Sequence, residues 1–252
     1  MAEPRGKRLS LSLPRRWIGD LLHFSSRVPM AAAERHIRVK ALAEARRKAE
    51  KPPSWNAIIV KSLALAFRER PEFRRCYMPY PWPHLYESPE SVASIVIDRE
   101  YLGEPATFLC PMVRPDERSL HEIGRKVQQW KNDPVESHVA LRRLVRNAKP
   151  PWPIRRMLWA IGLYASGRLR ARTFGTYAVN SLAGWRGRML SFQSPLSSTW
   201  YYGIVESNGT MLLQIAGDHR VFDGVHTGKA IGVLEAILNG PMIEEVMRPE
   251  AD

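Results

Sequence analysis

The residues best suited to chemistry lie together near the C-terminus, in the segment GDHRVFDG at residues 217–224. A neutral imidazole takes up protons near neutral pH, so His219 is a candidate general base. Asp223 can cap the helix that follows, where the helix dipole favours a carboxylate, and Gly224 would permit a tight turn into that helix. Arg220 lies beside the histidine. From these residues alone, a histidine in a turn is more often structural than catalytic.

The segments around this histidine predict a mixed domain of strands and helices. Apolar, partly β-branched runs predict strands at residues 91–97, 107–113, 176–182, 199–205 and 211–216, with a hairpin turn at Asn208-Gly209. Periodicity and capping residues predict helices at 39–50, from Ser54 to near Pro71, from Ser119 to Asn132 and from Val225 to Leu238. We expect the first two strands to be central. This order of elements indicates an α/β layered domain.

The organisation of the chain predicts one large domain with two additions. Residues 1–20 have weak periodicity and many prolines and arginines, which predicts a basic N-terminal arm, and a strand is expected within 21–37. Residues 21–252 form a single domain, because no linker divides them. Residues 149–172 are a basic and apolar segment, whose apolar run from Met157 to Gly167 is too short to span a bilayer.

The net charge of +13 is concentrated in one part of the chain. Residues 137–205, which we call the basic block, contain no Asp or Glu but eleven Lys or Arg: Arg142, Arg143, Arg146, Lys149, Arg155, Arg156, Arg168, Arg170, Arg172, Arg186 and Arg188. Such a block attracts polyanions, and it serves equally well as a solvated basic face. No recognised nucleic-acid-binding module accompanies it, so we do not expect nucleic acid to be the partner.

The two cysteines, Cys76 and Cys110, predict neither a metal site nor a disulfide framework. They lie 34 residues apart, without a further cysteine or a close histidine pair beside them. No apolar run of signal-peptide length follows the basic N-terminus. These features predict a cytoplasmic protein without a metal.

The segment DHRVFDG resembles the signature of the acyltransferase cores of 2-oxoacid dehydrogenase complexes, which share their fold and the pattern His-x-x-x-Asp-Gly with chloramphenicol acetyltransferases. Other segments agree in order. Residues 56–73 are similar to the family's buried helix, 108–123 to its VPVI strand and SL-x-x-I helix, and 175–182 to its GTFTISNL strand. The resemblance covers residues 20–248.

This resemblance implies a chloramphenicol acetyltransferase-like α/β fold, a mixed β-sheet flanked by helices, assembled as a homotrimer with active sites between subunits. It implies acyl transfer between coenzyme A and a thiol, hydroxyl or amine, with His219 as general base and Asp223 holding the turn in shape. Arg220 and Gly224 are supporting positions. The family's oxyanion-stabilising hydroxyl corresponds to Asn180, with Ser181 on the opposite face of the strand. An Asn amide can also donate to an oxyanion, so this departure is compatible with activity.

The resemblance therefore predicts a freestanding acyltransferase that uses acyl-CoA and an unidentified small-molecule or lipid acceptor. The family's lipoyl and partner-binding segments have no counterpart in this sequence, so we expect no lipoyl group on the chain. Residues 149–172 are longer and more basic than the corresponding part of the resembling families, so the resemblance implies that they are an insertion. The alternative is a catalytically inactive trimeric scaffold or interaction protein, which Asn180 in place of the hydroxyl favours. Residues 150–172 could meet a membrane surface as an interfacial helix with basic ends, although packing on the protein's own core is the commoner outcome.

Overall fold

The computed structural model describes residues 6–181, 183–185 and 187–249. In these ranges the strands are β1 (Met30–Arg38), β2 (Arg75–Met78), β3 (His84–Glu87), β4 (Val92–Tyr101), β5 (Glu104–Val113), β6 (Tyr177–Ser181), β7 (Ser198–Val205) and β8 (Thr210–Asp218). The α-helices are α1 (Leu13–Ser25), α2 (Lys40–Lys48), α3 (Trp55–Glu69), α4 (Leu120–Asn132), α5 (Val139–Ala148), α6 (Trp152–Tyr164), α7 (Gly167–Phe174), α8 (Gly224–Leu238) and α9 (Pro241–Met247).

Six of these strands form one mixed sheet in the order β1-β8-β7-β6-β4-β5. β6 is parallel to both of its neighbours, β4 and β7, and the other pairs are antiparallel. β2 and β3 form a separate hairpin. The predicted α/β class, a mixed sheet flanked by helices, is confirmed. β8 lies between β1 and β7, so the segment that follows β8 leaves the sheet in contact with both of them.

α3 is the central helix of the core. Ser54 caps it by accepting a hydrogen bond from the backbone N–H of Ala57 at 3.2 Å, as the sequence predicts. Residues 57–64 are all buried, and the ring of Phe67 packs edge-on against Tyr177 of β6 with 4.7 Å between the centroids. Burying one large apolar side chain contributes about 1.5–3 kcal/mol. α3 therefore holds β6, the strand that carries Asn180, firmly in the sheet.

Most predicted elements are confirmed, and the differences have simple causes. In α4 the predicted capping box is formed, because Ser119 and Glu122 exchange hydrogen bonds. β5 is an edge strand rather than a central one, because it pairs only with β4 at the end of the sheet. One of its faces is buried, through alternate residues such as Phe108 and Cys110. The sequence does not predict the β2–β3 hairpin or α9, whose runs of four and seven residues are too short for a periodic signal.

The predicted basic arm over residues 1–20 is wrong for its second half, because α1 begins there and belongs to the core. Trp17 is 2 % exposed, and its indole N–H donates to the carbonyl of Thr107 at 2.9 Å. Pro14 does not prevent the helix, since a proline in the first turn gives up no internal hydrogen bond. The strand expected within 21–37 begins only with β1. The division into domains otherwise stays a prediction.

The insertion at residues 149–172 forms α6 and most of α7. On the buried side of α6, Trp159 and Leu163 pack with Phe24 of α1 in a second, smaller hydrophobic cluster. The opposite side of α6 exposes three apolar side chains, which we call the α6 stripe: Ile154, Met157 and Ile161. None of the described helices is long and apolar enough to cross a bilayer.

Candidate active site

The segment at residues 217–224, which we call the motif turn, is held at the C-terminal end of β8 by backbone hydrogen bonds. The N–H of Asp218 donates to the carbonyl of Ser197 at 2.8 Å, and that of His219 donates to Pro29 at 2.9 Å. The first acceptor precedes β7 and the second precedes β1, so the turn is fixed on both sides. The side chain of His219 is exposed. This arrangement fixes the backbone of the histidine and leaves its imidazole open to another molecule.

Asp218 and Arg220 form a closed ion pair within the motif turn. The carboxylate is fully buried and accepts from the guanidinium Nε at 2.9 Å and Nη2 at 2.7 Å. The guanidinium also lies over the ring of Tyr77, 4.3 Å from its centroid. Hydrogen bonding to Asp218 is the main reason that the pKa of Arg220 is raised. Asp218 is the first residue of the signature DHRVFDG, but no role is predicted for it from the sequence, and its part as the buried partner of Arg220 is seen only in the structure.

Asp223 caps α8, as predicted. Its Oδ1 accepts the backbone N–H of His226 at 2.9 Å and lies 2.8 Å from the ring Nδ1 of the same residue. The backbone hydrogen bond is the largest cause of the lowered pKa of this exposed carboxyl. His226 is a second imidazole near the motif turn that the pattern His-x-x-x-Asp-Gly does not include. Its position three residues after a capping acid is the only sequence signal for it.

Gly224 does not have the predicted role in a tight turn. It is the first residue of α8, its φ is not positive, and a β-carbon at this position would meet no atom within 4 Å. The prediction is wrong because the chain enters α8 through an extended residue, Asp223, rather than through a left-handed turn. A side chain at position 224 would therefore point into open space.

Asn180 and Ser181 end β6 and differ in what their side chains do. The Oδ1 of Asn180 accepts the N–H of Ser181 at 2.8 Å, which orients the amide so that its NH₂ group is left to donate. The hydroxyl of Ser181 accepts from the N–H of Ala183 at 3.2 Å. Asn180 is therefore the better placed donor for an oxyanion, whereas Ser181 stabilises the end of the strand.

The structure does not bring His219 and Asn180 together within one chain. His219 follows Asp218, which is bonded to Ser197 just before β7, whereas Asn180 is paired with Tyr201 inside β7. Four residues and two strand spacings separate these positions, which is roughly 13 Å along the strands and about 10 Å across them. A single chain cannot present both groups to the same substrate atom at hydrogen-bonding distance.

The structure divides the basic block into side chains that are paired or buried and side chains that are exposed and form no ion pair with a described residue. Asp20 of α1 binds both Arg155 and Arg156 of α6, at 2.8 and 2.9 Å, and so joins the two helices. The side chains exposed on α5 to α7 are Arg142, Arg146, Lys149, Arg168 and Arg172, while Arg186 lies outside the described residues. These exposed cations are the members of the block most open to a phosphate group.

Neither cysteine is suited to act as a nucleophile at neutral pH. Cys76 and Cys110 are both free and buried. Burial raises the pKa of both thiols, that of Cys110 to about 12, and so disfavours the reactive thiolate. Among the described residues, no group of three or more His, Cys, Asp or Glu side chains is arranged to hold a metal ion.

No protein-family profile matches the sequence, and no curated protein matches it. Among solved structures, the chain is similar to a probable dihydrolipoamide acetyltransferase from Listeria monocytogenes, with 16% identity, a TM-score of 0.64 and 98% of both chains covered. It is similar to a dihydrolipoamide acetyltransferase of Azotobacter vinelandii, with 13% identity, a TM-score of 0.67, and 97% of this chain and 95% of that chain covered. A truncated catalytic core of the 2-oxoacid dehydrogenase complex from Thermoplasma acidophilum matches with 15% identity, a TM-score of 0.66, and 94% and 99% coverage.

These matches show that the chain has the fold of the acyltransferase cores of 2-oxoacid dehydrogenase complexes. Each alignment covers more than nine-tenths of both chains, so the likeness extends over the whole domain and is not confined to the sheet. The resemblance that the motif turn and the three other segments indicate is confirmed at the level of the fold.

Proposed function

We propose that the chain is an acyl-CoA-dependent acyltransferase with His219 as the general base. The observation that carries the proposal is the motif turn. There the imidazole of His219 is exposed, the backbone is hydrogen-bonded on two sides, and the buried Asp218 forms an ion pair with Arg220. The chain has the fold of proteins described as acetyltransferases. In the Azotobacter protein the catalytic roles of a serine, a histidine and an asparagine have been investigated, and the last two are four residues apart. His219 and Asp223 have the same separation.

The proposed reaction begins when the acceptor's thiol, hydroxyl or amine meets His219. The imidazole takes the proton as the acceptor atom attacks the thioester carbonyl of acyl-CoA. Negative charge then develops on the carbonyl oxygen, and the NH₂ group of Asn180 stabilises it by donating a hydrogen bond. Collapse of the intermediate breaks the C–S bond, and the imidazolium returns the proton to the leaving thiolate. The products are the acylated acceptor and free coenzyme A, and His219 is neutral again.

This mechanism requires a second copy of the chain, because His219 and Asn180 of one chain are too far apart. A homotrimer, which the family resemblance implies, would bring the Asn180 of one copy to the His219 of another. β1 is the edge strand nearest the motif turn, and most of its residues are exposed, which leaves a surface for contact between copies. The exposed basic side chains of α5 to α7 are candidates for binding the phosphates of coenzyme A.

Release of free thiol from acyl-CoA tests the proposed function. The purified protein is incubated with a panel of acyl-CoAs and acceptors, and coenzyme A is followed with a thiol reagent. His219→Ala should lower turnover by about 100- to 10,000-fold, and Asn180→Ala by about 100- to 1,000-fold. His121→Ala, which removes a histidine of α4, is the matched control and should leave turnover unchanged. Normal turnover in His219→Ala would remove this residue from the mechanism.

A catalytically inactive trimeric scaffold is the second candidate function. It is favoured by Asn180, which stands where the resembling family has a hydroxyl. Calorimetric titration with a series of acyl-CoAs distinguishes the two candidates. Saturable binding supports the enzyme, whereas failure to bind any member of the series supports the scaffold.

A further inference from the structure

A cleft of about 180 Å³ opens beside the motif turn. The turn between α1 and β1, the β2–β3 hairpin, α6, α7 and the motif turn all contribute to its wall. Three arginines and three tyrosines dominate the lining: Arg27, Arg170, Arg220, Tyr77, Tyr80 and Tyr164. Positive charge and aromatic surface therefore converge one residue away from the candidate general base.

Two of the three guanidinium groups in this cleft lack a negative partner among the described residues. Arg220 is neutralised by the Asp218 carboxylate within the motif turn. Arg170 is 4 % exposed and donates only to backbone carbonyls, at 2.8 Å in each case. Arg27 is exposed, and no described carboxylate lies within ion-pair distance of it. The cleft thus holds two positive charges that the described part of the chain does not balance.

The state of Arg170 has an energetic consequence. A buried charge without a counter-charge is costly, because the interior of a protein screens it poorly. The dipoles of the two carbonyl groups that accept from Arg170 offset this cost only in part. An anion bound in the cleft would neutralise the remaining positive charge. A guanidinium presents its N–H groups as a planar fork, which matches the two oxygens of a carboxylate. The guanidinium of Arg220 already binds the carboxylate of Asp218, whereas that of Arg170 has no carboxylate partner among the described residues.

The remaining wall of the cleft indicates the size and character of its ligand. The rings of Tyr80 and Tyr164 meet edge to face with 6.1 Å between their centroids, and Tyr80 is 64 % exposed. These rings offer a flat apolar part of a ligand a surface to pack on. The volume of about 180 Å³ lies below the roughly 300–1,000 Å³ of sites for drug-sized ligands, so the cleft favours a small ligand.

We infer that this cleft binds the carboxylate of a small, partly apolar acceptor for the acyl transfer. The carboxylate lies between Arg27 and Arg170, and the nucleophilic end of the acceptor extends toward the motif turn. This inference rests on the proposed function for the role of the ligand as acceptor, but the anion site itself rests on the charges and burial described above.

Equilibrium binding of benzoate and benzamide tests the anion site without any turnover, because the two molecules have similar shapes and differ in charge. We expect benzoate to bind at least about 10-fold more tightly than benzamide, and Arg27→Gln to weaken benzoate binding about 10-fold. Arg47→Gln, which removes an exposed arginine of α2 outside the cleft, is the matched control and should have no effect. Absence of benzoate binding, equal binding of the two molecules, or unchanged binding by Arg27→Gln would overturn the inference.

Two further measurements separate the acceptor role from its alternatives. His219→Ala should bind benzoate normally while it loses turnover. Benzoate binding without turnover of any acyl-CoA overturns the acceptor role, whereas turnover without selective benzoate binding overturns the anion site alone. If coenzyme A displaces benzoate and Arg27→Gln weakens the binding of coenzyme A, the site belongs to the cofactor and the assignment to the acceptor is wrong.

Discussion

Two regions of the molecule each contain a buried aspartate that forms an ion pair with arginine. The two ion pairs differ in which part of the structure they stabilise. In the motif turn, Asp218 pairs with Arg220 two residues away, next to the exposed His219. In the contact between α1 and α6, Asp20 pairs with Arg155, which is 135 residues away in sequence. The first pair shapes the backbone around a candidate catalytic group. The second pair joins two distant helices and leaves the α6 stripe on the far side of α6.

Removal of the Asp20 carboxylate should have the largest effect on stability. Asp20→Asn leaves the buried Arg155 and the mostly buried Arg156 without a counter-charge, which should lower the free energy of unfolding by about 3–5 kcal/mol. Urea denaturation measures this change. Glu87→Gln, which breaks an ion pair with Arg75 that is 42 % exposed on both sides, is the control and should cost less than about 1 kcal/mol. A loss as small as that of the control would show that the α1–α6 contact does not depend on this pair.

The same change at Asp218 should lower the free energy of unfolding less than Asp20→Asn does, and should lower turnover more. The side chain of Arg220 is 34 % exposed and can turn toward solvent, so Asp218→Asn should lower the free energy of unfolding by about 1.5–3 kcal/mol. Thiol release should also fall, because the turn that holds His219 is loosened. Turnover per folded molecule should fall less in Asp20→Asn than in Asp218→Asn, because the partners of Asp20 lie on α6 and not in the motif turn. Equal losses of turnover in Asp218→Asn and Asp20→Asn would contradict the claim that only the Asp218–Arg220 pair supports the candidate catalytic residue.

Asp223 should stabilise the fold less than Asp20 or Asp218 does, and its contribution to stability should depend on pH. Its pKa is lower in the folded protein than in the unfolded chain, so the ionised carboxylate stabilises the fold at neutral pH. This contribution is lost as the pH falls through the folded-state pKa. Thermal unfolding should therefore show a lower Tm for Asp223→Ala at pH 7, and the difference should shrink in acid. A difference that is the same at both pH values would contradict a role for the charge.

Changes in the α6 stripe should have the smallest effect on stability. Ile154→Ser, Met157→Ser and Ile161→Ser each alter an exposed side chain, so each should change the free energy of unfolding by no more than about 0.5 kcal/mol. Membrane contact through residues 150–172 is the less favoured alternative that the sequence leaves open, and it remains untested. If it occurs, the triple variant should float less with anionic vesicles than the unaltered protein does. Equal flotation of the two proteins would contradict it.

The elements that the sequence predicts correctly depend on neighbouring residues. Ser54 and Ser119 cap their helices through groups three residues away, and Asp223 does the same for α8. Such contacts form within one turn of the chain, so spacing alone is enough to predict them. The residues of the motif turn are also close together in the sequence, which is why the sequence could identify them.

The features that the sequence does not predict depend on distant partners. Trp17 donates to a carbonyl 90 residues away, and the partners of Asp20 lie on α6. Without those partners, the prolines and arginines of residues 1–20 indicate an arm rather than a helix. The distance between His219 and Asn180 is also set by the pairing of β6, β7 and β8, which no local pattern contains.

The central claim is that His219 of one copy acts together with Asn180 of another. Chains that carry His219→Ala can be co-expressed with chains that carry Asn180→Ala, so that some sites of the mixed assembly contain both intact residues. Thiol release by the purified mixed assembly should recover to about one quarter of the normal rate if the chains assemble at random in a trimer. A mixed assembly as inactive as either variant alone would contradict the claim.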